Sequence, residues 1–336
     1  MNKMMMNIIY RSILFAFFLA SGQFAQAVSQ QTDVTSADLK EITRLAEKGD
    51  ASAQFGLGVL YAKGKGVAQD FNKALIWYRK AAVQGDVSAQ VNLGVMLSKG
   101  YAGTRDYKEA VMWYRKAADQ GDAVAQFNLG VMYVNGQGVE QNYQEAVSWY
   151  RKAADQGDSV AQLNLGVKYA IGQGVAQDFK EAVTWYRKAA EQGNASAQYR
   201  LAVMYANGDG VPQDYTEAVS WYRKAAEQGD VLAEFNLGVK YANGQGVQKD
   251  IKEAGLWYYK AAEQGQANAQ NNLGVLFFSG QGVPRDLLQA YKWVSLAALS
   301  GDLEASNNKK VAEAKMTPKQ IEEGQALVRE WQEKHK

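Results

Sequence analysis

Few residues of this chain could do chemistry, and their spacing assigns most of them to structure. Histidine occurs once, at the penultimate position His335, and cysteine is absent. No Ser-His-Asp or Cys-His constellation can be assembled, and no Cys/His zinc set. No S-x-x-K serine stands beside the partners such a nucleophile needs. Carboxylates recur three residues apart, as Asp106/Glu109, Asp178/Glu181, Asp214/Glu217 and Asp250/Glu253. Such pairs could serve as general acid and base. Their recurrence at capping-box spacing points instead to helix starts. The G-x-G segments resemble phosphate loops, but G-x-x-x-x-G-K-[ST] is absent and they follow helical patterns, so they read as turns. A repeated Arg-Lys after Trp-Tyr looks like a basic stripe with interleaved aromatics. It falls near helix C-termini, where cations suit the helix dipole.

One polar pattern invites a binding reading. A row one position before the inward leucine reads Asn92, Asn128, Asn164, Arg200, Asn236, Asn272. The row three positions after that leucine reads Met96, Met132, Lys168, Met204, Lys240, Leu276, and the next turn adds Lys99, Asn135, Ile171, Asn207 and Asn243. At about 100° per residue both rows flank the inward direction. Asparagine offers donors and acceptors, which suits a bound peptide backbone. The candidate partner-binding residues are therefore Asn92, Asn128, Met132, Asn164, Lys168, Arg200, Met204, Asn236, Lys240 and Asn272. A second reading stays open, in which the asparagines bond only each other or the neighbouring helix.

The elements that position these rows follow from one period. Trp77, Trp113, Trp149, Trp185, Trp221, Trp257 and Trp293 are spaced by 36 residues, and only Trp331 stands outside the series. A period of this length marks stacked repeats, which make long surfaces for partners and few deep catalytic pockets. The unit from Asp122 to Gly157 shows the plan. Asp122 caps a first helix over about 123–135, with Ala125, Leu129 and Tyr133 on one face. Gly136-Gln137-Gly138 ends it, because glycine takes the left-handed conformation at little cost. Asn142, with Glu145 three residues on, opens a second helix whose face carries Ala146, Trp149, Tyr150 and Ala153. Seven such units fill 50–301. Residues 28–49 form a lead-in and an N-terminal capping helix. Residues 302–336 form C-terminal capping helices, one opened by Thr317-Pro318.

The repeated A-x-A-Q-x-x-L-G-x-x-Y-x-x-G-x-G-V-x-Q-D-[FY]-x-x-A-x-x-W-Y-x-K-A-A-x-Q-G resembles the Sel1-like repeat. Residues 123–157 carry it almost intact: Ala125-Gln126, Leu129-Gly130, Tyr133, Gly136, Gly138-Val139, Trp149-Tyr150, Lys152-Ala153-Ala154, Gln156-Gly157. The resemblance implies an all-α solenoid of the tetratricopeptide-like kind, without enzyme activity or cofactor, acting as an adaptor for proteins or peptides. The second unit departs from the pattern, with Leu97 for tyrosine and Tyr101-Ala102-Gly103 in its turn. The fifth has Ala202 for glycine. β-Lactam binding or hydrolysis, assigned to cysteine-rich relatives, is a remote alternative for a chain without cysteine. A cell-envelope glycan or peptidoglycan binder is a nearer one.

Composition agrees with a folded scaffold: 336 residues, 47% hydrophobic, 21% charged. Lys3 and Arg11 precede an apolar run from Ile13 to Ala20, and Ala25-Gln26-Ala27 follows. This is the pattern of a signal peptide over 1–27, with cleavage before Val28. The expected location is the periplasm or the exterior, with no stable membrane insertion after cleavage. Loss of Lys3 and Arg11 leaves basic residues equal to the 35 acidic ones. A neutral chain offers no electrostatic footprint for nucleic acid.

Overall fold

The computed structural model describes residues 35–335. The leader assigned to residues 1–27 lies outside them. The described residues form seventeen helices and no strand. They divide into two compact units, one ending at Asp178 and the other beginning at Phe179. Each is an all-α solenoid of stacked helix pairs.

The first unit starts with α1 (Ser36–Glu47). Pairs follow: α2 (Ala51–Lys63) with α3 (Phe71–Val83), α4 (Val87–Lys99) with α5 (Tyr107–Asp119), and α6 (Ala123–Asn135) with α7 (Tyr143–Asp155). It closes with α8 (Ser159–Ile171). The second unit runs α9 (Phe179–Glu191), α10 (Ala195–Asn207), α11 (Tyr215–Glu227), α12 (Val231–Asn243), α13 (Ile251–Glu263), α14 (Ala267–Ser279) and α15 (Leu287–Ala298). Then come the capping helices α16 (Leu303–Glu313) and α17 (Pro318–Lys334). Thr317 caps α17 with a reciprocal bond to Gln320, as expected of Thr-Pro at a helix start.

Local chemistry sets the boundaries. Asp122 Oδ1 accepts from the Ala125 amide at 2.8 Å and starts α6. Gly136, at φ +64°, stops it. Asn142 Oδ1 accepts from the Glu145 amide at 3.0 Å and starts α7. The capping box expected there forms only in half. The glutamate three residues into the helix turns elsewhere: Glu109 and Glu253 accept from the indoles of Trp113 and Trp257, at 3.0 and 3.1 Å. The same contact is not made in every repeat, since the buried indole N–H groups of Trp149 and Trp185 find no acceptor.

The core is built from the repeated inward positions. In the first unit Phe55, Tyr78, Leu93, Trp113, Tyr114, Leu129 and Trp149 share one buried cluster. Each such side chain removed from water contributes about 1.5–3 kcal/mol. No single helix pair could bury them alone, so stacking supplies the stability. In the second unit α17 lays Trp331 edge-on against Trp293, ring centroids 6.4 Å apart, and so closes the end of the stack.

The second glycine of the G-x-G turn has a specific task. A Cβ on Gly138 would lie 2.2 Å from the Tyr107 carbonyl oxygen, at φ +75°. The turn of one repeat therefore presses on the start of the previous repeat's second helix. The second repeat has Ala102 at that position, and its turn is rebuilt as its sequence foretold. The positive φ moves to Gly103, at +134°, and Tyr101 stacks on Phe71 at 5.3 Å.

Candidate functional site

The basic stripe is spent inside the fold. In six repeats the lysine three residues after the tryptophan lies over its own indole, from Lys80 on Trp77 at 4.0 Å to Lys260 on Trp257 at 3.8 Å. The preceding arginine reaches a tyrosine hydroxyl in the next first helix: Arg115 to Tyr133, Arg151 to Tyr169, Arg187 to Tyr205 and Arg223 to Tyr241. Where Leu97 replaces that tyrosine, Arg79 instead forms a two-point ion pair with Glu109. That pair holds the Glu109 carboxyl below its usual range.

The asparagine row lies half-buried on the first helices, with Arg200 exposed. Asn92, Asn164 and Asn236 each donate Nδ2 to the carbonyl four residues back at 2.8 Å, on Ser88, Val160 and Leu232. Each therefore keeps its Oδ1 as an acceptor. Arg200 and Asn272 are hydrogen-bonded to Tyr186 and Tyr258. The row does not bond to itself.

The adjoining row faces inward. Met132 and Met204 are buried. Lys168 is buried too, its Nζ 5.1 Å from the Tyr143 ring centroid and donating to Gln173 Oε1. Lys240, half-buried, repeats this with Tyr215 at 4.3 Å and Gln245 at 3.0 Å. Desolvation pushes both ammonium groups below the usual lysine range.

In the first unit these rows meet at an open cavity of about 380 Å³ between the second and third repeats. Asn92, Asn128 and Met132 line it, from the rows singled out in the sequence. Its apolar lining comes from Val91, Val95, Val124 and Phe127, beside the hydrogen-bonded hydroxyls of Ser98 and Tyr114. Lys99 and Arg105 stand at it as cations, and no lining residue is a carboxylate. Arg105 was not picked out from sequence. The signal was there: Gln69, Gln141, Gln177 and Gln213 occupy its position in four other repeats, each donating to a carbonyl seven residues back at 2.7–2.8 Å, while Lys249 and Arg285 hold it in the last two. Arg105 donates to the Tyr107 hydroxyl instead, at 3.3 Å. Among the described residues no cluster of His, Cys, Asp or Glu could hold a metal, and no helix is long and apolar enough to cross a membrane.

Stacked helix pairs with a polar first-helix row define a repeat scaffold. The model of the Sel1 repeat matches seven consecutive stretches: 51–86, 87–122, 123–158, 159–194, 195–230, 231–266 and 267–302. The chain belongs to the Sel1 repeat family. It is similar to the Sel1 repeat protein of Oxalobacter formigenes, 34% identical over 91% of this chain and 89% of that one, with a TM-score of 0.68. It is also similar to a protective antigen of uropathogenic Escherichia coli, 30% identical over 97% and 92% of the two chains, with a TM-score of 0.37. No curated protein matches the chain. Sel1 repeat proteins generally mediate protein–protein interactions and are typically non-catalytic.

Proposed function

We propose that this chain is an exported scaffold that holds a protein or peptide partner against the first-helix face of its repeats, in the periplasm or outside the cell. One observation carries the reading of the face. Asn92 and Asn128, on consecutive first helices, border the same open cavity, whose lining includes Val91, Val95, Val124 and Phe127. Polar amides beside an apolar hollow suit a peptide, whose backbone needs hydrogen bonds and whose side chains need burial. Export rests on the leader pattern of residues 1–27. A glycan binder would present a row of exposed aromatic rings; Trp113, Trp149, Trp185, Trp257 and Trp293 are buried, and the exposed Tyr101, Phe179 and Tyr259 stand at three different repeat positions.

Two experiments test the proposal. N-terminal sequencing of the protein from its own cells should read from Val28; a soluble product that retains Met1 contradicts export. A photo-crosslinking residue at position 128 should capture a discrete partner from the cell envelope. The same residue at Ser148, exposed on a second helix, should not. Capture at 148 and not at 128 would place binding on the other face.

A further inference from the structure

We propose that the cavity between the second and third repeats takes a carboxylate-bearing peptide segment, with the acid group beside an aliphatic side chain. This rests on the scaffold reading above and names the chemistry of one stretch of the partner.

The comparison lies within the chain itself. At the equivalent place between the third and fourth repeats, Lys168 lies over Tyr143 and bonds to Gln173. Lys240 makes the same contacts between the fifth and sixth repeats, over Tyr215 and onto Gln245. Between the second and third repeats the residue at this position is Met132. A thioether brings no charge and has no proton to donate to Gln137, and a hollow of about 380 Å³ lies open beside it. The size suits a small ligand or one or two side chains.

The charge arrangement selects the occupant. Lys99 and Arg105 are both exposed at the cavity, and no carboxylate lines it to neutralise them. A cationic segment would be repelled, and an anion would be drawn in. The guanidinium fork of Arg105 matches a carboxylate with two parallel donors. The apolar lining of Val91, Val95, Val124 and Phe127 asks for apolar atoms, which a bare inorganic anion lacks. Asn92 supplies a free Oδ1 for a backbone N–H. An acidic residue next to an aliphatic one satisfies all of these groups.

The test uses the full mature chain and a fluorescein-labelled hexapeptide, Ala-Leu-Glu-Val-Asp-Ala, read by anisotropy at roughly 50 mM salt. Its Gln/Asn counterpart and its Lys/Lys counterpart are titrated beside it. The acidic peptide should bind at least about tenfold more tightly than either, and weaken as salt rises. Comparison of free and amidated C-termini tells whether a terminal or a side-chain carboxylate is held. Met132→Lys should occupy the hollow, in the pose of Lys168 over Tyr143, and lower affinity about tenfold or more. Arg105→Gln, the residue used in other repeats, should lower affinity about tenfold while the melting temperature stays unchanged. Equal binding of the Gln/Asn or Lys/Lys peptide, no binding of the acidic peptide, or unchanged affinity in both variants overturns the proposal. If Met132→Lys protein still crosslinks the envelope partner at position 128 in full yield, this inference falls and the scaffold reading stands. If no partner is captured at 128, the scaffold reading falls, and the peptide titration still decides the chemistry of the cavity.

Discussion

Gln264 Nε2 donates to Glu234 Oε2 at 2.9 Å, at a position where four other repeats pair glutamine with glutamine. In those repeats the buried glutamine plays two parts. It accepts from the glutamine that caps the second helix, and it donates to a backbone carbonyl eight residues back. Gln198 does so to Ala190 at 3.0 Å. An ionised Glu234 can accept but cannot donate. Its side chain is buried all the same, 4% exposed. Desolvation raises its pKa above the ordinary 4.5, against the lowering effects of Gln264 and Lys260, while Asp230 adds to the rise.

Glu234→Gln should therefore stabilise the second unit, by about 1 kcal/mol at pH 7, one net hydrogen bond. The sign of the pH dependence follows from the raised pKa. Folding penalises the charged form, so the wild type carries the full penalty above the folded pKa and loses it as pH falls toward 4.5. The gap between variant and wild type should shrink over that interval. Denaturant melts at several pH values check this; a gap that widens as pH falls would contradict it.

Gly138→Ala should destabilise the first unit by about 2 kcal/mol or more, because the new Cβ meets the Tyr107 carbonyl at a positive φ. Gly157→Ala is the control. It has positive φ but open space around it, so it should cost only the backbone strain, about 1 kcal/mol. Thermal melts of the two variants measure the difference, and equal losses would show that the turn does not press on the preceding helix.

Trp185→Ala should cost about 3–5 kcal/mol, as truncation of a buried large aromatic does. Trp331→Ala should cost less, about 1–2 kcal/mol, because the half-buried Trp331 closes one end of the stack only. Loss of an interior interface should also broaden or split unfolding of the stack. Equal losses in chemical denaturation would mean that the end cap carries as much as the interior.

The helix pairs were legible in the sequence because capping and periodicity are local. The expected first helix at 123–135 and its cap Asp122 are found as read. The 36-residue tryptophan series likewise foretold an aromatic core, with Trp113, Trp149, Trp185, Trp257 and Trp293 buried and Trp77 and Trp221 half-buried. Side chains long enough to choose among several neighbours were not legible. Arg151 serves Tyr169 eighteen residues on, and Lys168 turns back onto Tyr143, contacts that exist only once repeats stack. Periodicity placed Met132 and Lys168 in one row, yet Met132 lines an open cavity while Lys168 lies over Tyr143 and bonds to Gln173. That difference depends on side-chain reach, which a face assignment does not contain. The cation at Arg105 was visible only as a departure from the glutamine of four repeats, one that Lys249 and Arg285 share.

The account turns on the first-helix face as the place where a partner is held. The most direct measurement titrates the crosslinked envelope partner, once purified, against wild type and the triple variant Asn92→Ala, Asn128→Ala, Asn164→Ala, with melting temperatures recorded in parallel. Affinity should drop by about tenfold or more while the helical signal is kept and the melting temperature stays within a few degrees. A triple variant that stays folded and binds with wild-type affinity would contradict the account, and one that unfolds early would show that the asparagines serve the fold.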